Sequence, residues 1–237
     1  VSPAPAQRVA VTGANRGIGL EFVRQLLARG ERVIAGCRQP GRALKLTELA
    51  CAHPGRLQVL PLDLDKERSI AGFAREAGML GDALDVLINC AGVLVSAERF
   101  GELAAKTFDE TLHTNVVGPL LLTQALAPLL VRGTRPRVLN LSSELGSLAD
   151  TTHFSTPSYA VSKAALNMVT RLLAAGLAAQ GISVVSISPG WVRTDMGGAG
   201  APLAPNESVT AMLQTMDGLE MADNGRFIDY RGAAIAW

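Results

Sequence analysis

Disulfide chemistry has little to work with here, because the 237 residues hold three cysteines, Cys37, Cys51 and Cys90. Three scattered thiols make no disulfide framework and show no metal-ligand spacing, so no metal is expected. They suit a reducing compartment, with Cys90 as a small buried hydrophobe. An excess of either charge is also missing. Lys and Arg number 22 against 21 Asp and Glu, a formal charge of +1. Nothing in that balance calls for nucleic acid or an acidic membrane surface. Long apolar runs are absent too, since the stretch 116–131 is broken by Gly118, Pro119, Gln124 and Pro128 and falls short of a membrane span. The opening VSPAPAQR, residues 1–8, lacks the basic start and apolar core of a secretory signal and reads as a short flexible lead-in. A cytoplasmic protein is expected.

What is present is core material: 48% of residues are hydrophobic and 18% charged. The length suits one large α/β domain over residues 1–237 better than two ordinary ones. RVAVT (8–12), RVIAGC (32–37), LQVLPLD (57–63) and LDVLINC (84–90) read as strands. So do PRVLNLS (136–142), ISVVSIS (182–188) and GRFIDY (225–230). Helical patterns fall at 19–30, around Leu44, Leu46 and Leu49, at 66–80, from Thr107, and over 116–130 and 159–180. This alternation predicts parallel strands with helices over both faces. Right-handed crossovers then bring the strand ends to one edge, where such sheets bind ligands. The Gly-, Ala- and Pro-rich stretch 197–205 reads as a loop, and a substrate loop around 194–207 is expected.

The first strand runs into GANRGIG, with Gly13, Gly17 and Gly19 opening the turn before a helix. Glycine allows close backbone approach, and a helix start offers free N–H groups and a positive dipole end, which suits a pyrophosphate. The spacing G-x-x-x-G-x-G differs from the dinucleotide fingerprint and from a phosphate loop ending in G-K-[ST], so ATP hydrolysis is poorly supported. At the end of the second strand, an acid would bind the ribose diol of NAD. This chain has Ala35, Gly36, Cys37 and Arg38 instead. Arg16 and Arg38 offer guanidinium donors to a 2′-phosphate, which predicts NADPH in preference to NADH; the alternative is that both are solvated surface groups. Asp63, Asn89, Ala91 and Gly92 end the third and fourth strands. They read equally as nucleotide contacts or as strand-end caps and turns.

The strongest local signal is YAVSK, residues 159–163. Residues four apart share a helix face, so the phenol of Tyr159 and the ammonium of Lys163 point into one site. A nearby ammonium is expected to lower the phenol from its ordinary pKa near 10 and make it a better acid or base. Hydride delivery to a carbonyl builds negative charge on oxygen, which Tyr159 can protonate while Ser142 or Ser143 donates a hydrogen bond. Asn115 precedes an apolar helix, where it either caps the helix or holds a water beside Lys163; the sequence alone favours the cap.

These residues resemble the short-chain dehydrogenase/reductase family in its classical branch. The likeness rests on TGANRGIG at 12–19, NCAG at 89–92, Asn115, Ser142–Ser143, YAVSK, and SPGWVRTDM at 188–196, in family order across nearly the whole chain. NLSSELGS, YAVSKAALN, PGWVRTDMGG and GRFIDYRGAAIAW look like NADPH-dependent carbonyl reductases of the sniffer and C-factor type. The resemblance implies a doubly wound, Rossmann-type three-layer sandwich with seven parallel strands in the order 3-2-1-4-5-6-7. It implies Ser143 as oxyanion donor, Tyr159 as acid/base, Lys163 as its partner and Asn115 as holder of a relay water. It implies cofactor contacts at Gly13, Asn15, Arg16, Gly17, Ile18 and Gly19, then at Arg38, Asp63, Leu64, Asn89, Ala91 and Gly92. Further contacts fall on Asn115, Tyr159, Lys163, Pro189, Gly190, Val192 and Thr194. Two departures stand out: Cys90 replaces a second asparagine, and Tyr159 comes 16 positions after Ser143 rather than 13, enlarging a loop within 149–157.

A small apolar aldehyde or ketone is the expected substrate, lined by Ser143, Leu145, Phe154, Tyr159 and Trp191. Leu94, Val95, Leu148 and Met196 are further candidates, and any of these apolar residues could equally be fold core. The competing readings are 3-oxoacyl reduction or alcohol oxidation on the same scaffold, and a non-catalytic NADP-binding signalling module. Family analogy favours a homodimer or homotetramer.

Overall fold

Strands that are apolar on both faces build the centre of the molecule. The computed structural model describes residues 6–237, so residues 1–5 of the lead-in lie outside the described residues. Gln7 already accepts a sheet-type bond from the Arg32 N–H at 2.9 Å, and β1 (Arg8–Thr12) begins one residue later. Its Val9 and Val11 enter one apolar cluster and Ala10 the other, because successive side chains of a strand face opposite ways.

The chain continues through α1 (Gly17–Ala28), β2 (Arg32–Cys37), α2 (Leu44–Ala52), β3 (Leu57–Pro61), α3 (Glu67–Met79) and β4 (Val86–Asn89). Then follow α4 (Ala105–Leu112), α5 (Gly118–Leu130), β5 (Arg137–Leu141), α6 (Pro157–Leu177), β6 (Ser183–Ser188), α7 (Pro205–Gly218) and β7 (Phe227–Asp229). All seven strands pair in parallel in the order 3-2-1-4-5-6-7. This is the doubly wound order expected from the resemblance. One cluster packs Phe22, Leu26 and Leu27 of α1 and Met212, Leu213 and Met216 of α7 on one face. The other packs Phe73 of α3 and Leu122, Leu126 and Leu130 of α5 on the opposite face.

Several expected boundaries move. β4 and β7 are shorter than their apolar runs, because Leu84, Cys90 and Tyr230 pack as flanking residues rather than as paired ones. The helix α7 was not expected at all. Its signal was nonetheless present: Pro205 at the first turn, Glu207 accepting from the Ala204 N–H at 2.8 Å, and Val209, Met212, Leu213 and Met216 at helical spacing. The loop over 197–205 therefore ends where this helix starts, and 205–207 of the expected substrate loop are helical. The loop itself is ordered by backbone bonds from Arg193 to Leu203 (2.9 Å) and from Leu203 to Trp191 (3.3 Å). Among the described residues, no helix is long and apolar enough to cross a membrane.

Candidate active site

Strand order reverses between β1 and β4, and a crevice opens there at the carboxyl ends of the strands. The glycine turn after β1 floors it. Gly13 has φ +65°, and a Cβ on it would lie 2.8 Å from the Ala91 Cα. A Cβ on Gly19 would stand 2.4 Å from the Gly13 carbonyl oxygen, so backbone approaches backbone only because both residues are glycine. Thr12 stitches the two strands together: its hydroxyl accepts from the N–H groups of Cys90 (3.0 Å) and Ala91 (2.9 Å). Gly19→Ala should cost about 1–3 kcal/mol of stability, because the new methyl meets backbone that cannot swing aside. A thermal unfolding midpoint equal to the wild type would show that the turn relaxes after all.

The cleft has a volume of about 530 Å³. Gly13, Asn15, Arg16, Gly17, Ile18 and Gly19 line it from the turn. Arg38 lines it after β2, Asp63 and Leu64 after β3, Ala91 and Gly92 after β4, and Thr194 after β6. Cys37, at the end of β2, lines it as the missing acid leads one to expect, and Asp65, Val93, Thr111, Thr114 and Asp195 line it without a sequence signal of their own. Arg16 reaches Asp195 at 3.3 Å as an exposed pair, a contact of the weak surface kind. Asp63 pairs with Lys66 at 2.6 Å, and that hydrogen bond, more than Arg38 nearby, holds its carboxyl below the usual range. Arg38 makes no ion pair among the described residues.

Asn89, Pro189, Gly190 and Val192 do not line this cleft. The Asn89 amide is buried and donates to Asn140 (2.8 Å) and Thr123 (3.3 Å), tying β4 to β5 and α5. Gly190 packs against the Tyr230 ring, Pro189 accepts from Ser208 of α7, and Val192 bridges to Leu203.

Gly92 joins the cleft to the Tyr–Lys pair. A Cβ on it would lie 3.4 Å from Asn115 Oδ1 and 3.7 Å from Lys163 Nζ. Lys163 Nζ stands 5.3 Å from the centre of the Tyr159 ring and donates to the Leu141 carbonyl at 2.7 Å. Gly146 lets the turn after β5 lie against α6, since a Cβ there would sit 2.8 Å from the Lys163 backbone. The Ser142 hydroxyl donates to Asn167 Oδ1 at 2.7 Å, whereas the Ser143 hydroxyl accepts from the Leu145 N–H at 3.2 Å and lies near enough to the Tyr159 phenol to ease its ionisation. Of the two serines, only Ser143 therefore faces the phenol.

Two expectations fail in this cluster. Asn115 caps nothing: it lies in a π-helical stretch, His113–Val117, between α4 and α5. Its side chain accepts from the Val93 N–H (2.8 Å) and donates to the Val93 carbonyl (2.9 Å) and to Ser162 Oγ (3.0 Å). Such one-turn π insertions are frequent at functional sites. The phenol is also not lowered. Burial pushes Tyr159 up to about 12, against the opposing effect of nearby Ser143, and burial pulls Lys163 down to about 8. Loss of water outweighs what Ser143 offers the phenolate.

Leu145, Phe154 and Trp191 are not core residues, being 45%, 55% and 62% exposed. Trp191 is held by its indole N–H, which donates to the Gly197 carbonyl at 2.8 Å. Val95, Leu148 and Met196 are exposed too, and Phe154 meets Phe100 edge-on with ring centres 5.7 Å apart.

A glycine-floored crevice at this switch point is the mark of a nucleotide-binding Rossmann-type fold. The family model described as short chain dehydrogenase matches residues 7–201, most of the chain. The chain belongs to this family of oxidoreductases. It is similar to the NADPH-bound carbonyl reductase from chicken fatty liver, with 38% identity, 99% of this chain and all of that one covered, and a TM-score of 0.93. It is similar to the carbonyl reductase Sniffer of Drosophila melanogaster at 34% identity, with 98% and 100% covered and a TM-score of 0.94. The C-signal protein of Myxococcus xanthus is 42% identical over 154 residues, 65% of this chain and 93% of that protein.

Proposed function

We propose that the chain is an NADPH-dependent carbonyl reductase that converts an apolar aldehyde or ketone to its alcohol. The carrying observation is the buried Tyr159 phenol, beside Ser143 and one helical turn from Lys163, next to a glycine-floored cleft. The cleft fits a dinucleotide: the turn of Gly13–Gly19 leaves a cradle beside a helix start for a pyrophosphate, and the volume lies in the range of small-molecule sites. Arg16 and Arg38 would hold a 2′-phosphate. Cys37, buried where an acid would repel that phosphate, supports the same preference. The NADPH bound to the similar chicken protein supports it as well.

When bound, the reduced nicotinamide supplies a hydride equivalent to the carbonyl carbon. The chain's own groups serve the oxygen. With its pKa at about 12, the Tyr159 phenol is protonated at neutral pH and able to donate. It passes its proton to the developing alkoxide while the Ser143 hydroxyl donates a hydrogen bond to the same oxygen. The Lys163 ammonium stabilises the phenolate left behind and is positioned by the Leu141 carbonyl. Asn115 holds the Val93 backbone beside Gly92. The exposed Leu145, Phe154 and Trp191 offer apolar contact to the rest of the substrate.

The test is a panel of aryl and alkyl carbonyls followed by loss of NADPH absorbance, repeated with NADH. The expected result is turnover with a higher kcat/KM for NADPH, and Arg38→Asp should reverse that order by placing a carboxylate against the 2′-phosphate. Cofactor affinity without turnover on any carbonyl would sink the reductase reading and leave a binding module. A higher kcat/KM with NADH would sink the cofactor preference alone.

A further inference from the structure

The helix that carries Tyr159 lacks a cap of its own. Thr156 stands at the N-cap of α6 in the left-handed region, with φ 41° and ψ 54°, and its side chain makes no cap hydrogen bond. Its hydroxyl is buried without a partner among the described residues. Pro157 brings no N–H, so the first free donor of the helix is the Ser158 N–H, one residue before Tyr159.

That donor is met from sixty residues away. Glu98, in the segment between β4 and α4, accepts from the Ser158 N–H at 3.2 Å and from the Ser158 hydroxyl at 2.8 Å, both through Oε2. Ser158 is fully buried. A carboxylate at a helix start is favoured by the dipole as well as by the free N–H groups. Glu98 is presented by Ala97, a non-glycine residue held at φ +63°. Its other oxygen, Oε1, is buried with no partner among the described residues. A strained alanine, a strained threonine and a half-satisfied carboxylate persist only where the surroundings over-determine them. The same two segments touch a second time, where Phe100 meets Phe154 edge-on.

The other end of the reacting cluster is held separately. Lys163 is fixed by the Leu141 carbonyl and by the close approach of Gly146, and Ser162 by Asn115. We propose that Glu98 is a positioning residue, a cap supplied from outside the helix that sets where the Tyr159 phenol stands relative to Ser143 and Lys163. It couples the segment after β4 to the acid of the reaction without touching substrate. This inference rests on the reading of Tyr159 as proton donor.

Glu98→Ala should lower kcat about tenfold, the scale for a catalytic group that loses position without leaving its site, with NADPH Kd within about twofold of wild type. Glu98→Gln keeps an acceptor for both Ser158 donors and should restore kcat to within about threefold. Amide hydrogen exchange at 158–160 should quicken in Glu98→Ala, while β5 and the Lys163 turn stay protected. Should Glu98→Ala not fold, Ser158→Ala removes the hydroxyl half of the contact, and it should lower kcat about threefold, again at constant NADPH Kd. Unchanged kcat in whichever of these two variants folds, equal losses in Glu98→Gln and Glu98→Ala, or exchange that rises across the whole sheet would each overturn the proposal. If the wild-type chain reduces no carbonyl, the reductase reading falls, and the exchange measurement still decides whether Glu98 caps the helix.

Discussion

Tyr159→Phe is expected to lower kcat by about 10²-fold or more, some 2.7 kcal/mol of transition-state stabilisation, while folding and NADPH affinity stay near wild type. The ring is buried and its packing survives the change; only the hydroxyl goes. That hydroxyl lies beside Ser143 and Lys163, and phenylalanine has no proton to give. The loss should appear equally in kcat and kcat/KM, because the proton moves only in the transition state. Turnover at the wild-type rate would remove Tyr159 from the chemistry.

Lys163→Met should abolish most turnover, by about 10²-fold or more, and weaken NADPH binding, yet leave the ligand-free protein more stable at neutral pH. Burial lowers the ammonium from 10.5 to about 8, so the folded state binds this proton less tightly than the unfolded chain does. The penalty is fully present below about pH 8, shrinks as pH rises, and is gone by the unfolded value of 10.5. At pH 7 the lysine therefore costs stability on the order of 3 kcal/mol. Methionine removes that cost but leaves the Leu141 carbonyl unpaired, which returns about 1–3 kcal/mol. A net gain of up to about 2 kcal/mol corresponds to a Tm rise of up to about 8 °C for a chain of this size. Thermal melts of both proteins between pH 6.5 and 10.5 check it, with the advantage of the variant expected to narrow above about pH 8. A variant less stable at pH 7, or a gap that widens with pH, would show that the buried amine carries no such penalty.

Much of the site was legible because its signals are local. Glycine at 13 and 19 is demanded by backbone contacts within and beside one turn, and four-residue spacing puts Tyr159 and Lys163 on one helix face wherever the helix lies. The helix α7 is equally local, its apolar spacing masked by the Gly- and Pro-rich stretch before it. Other features carry no local signal. Nothing in Ser142–Ser143 says which hydroxyl turns to Asn167 and which to the phenol, because the choice depends on where α6 crosses the end of β5. Asn115 looks like a helix cap until the π-helical stretch carries it under the Val93 backbone. Glu98 carries no local signal for the same reason, since its partner is remote in sequence.

The order of residues alone determined the alternation of strands and helices, the family resemblance, the glycine turn and the phenol–ammonium pair. Each depends on neighbours within a few positions, where periodicity and steric demand act without knowledge of the rest. Folding decided the protonation of Tyr159, which of two serines faces it, and what holds its helix in place. Those outcomes come from burial and from contacts between distant segments, and exclusion of water is a property of the packed molecule rather than of any short stretch of chain.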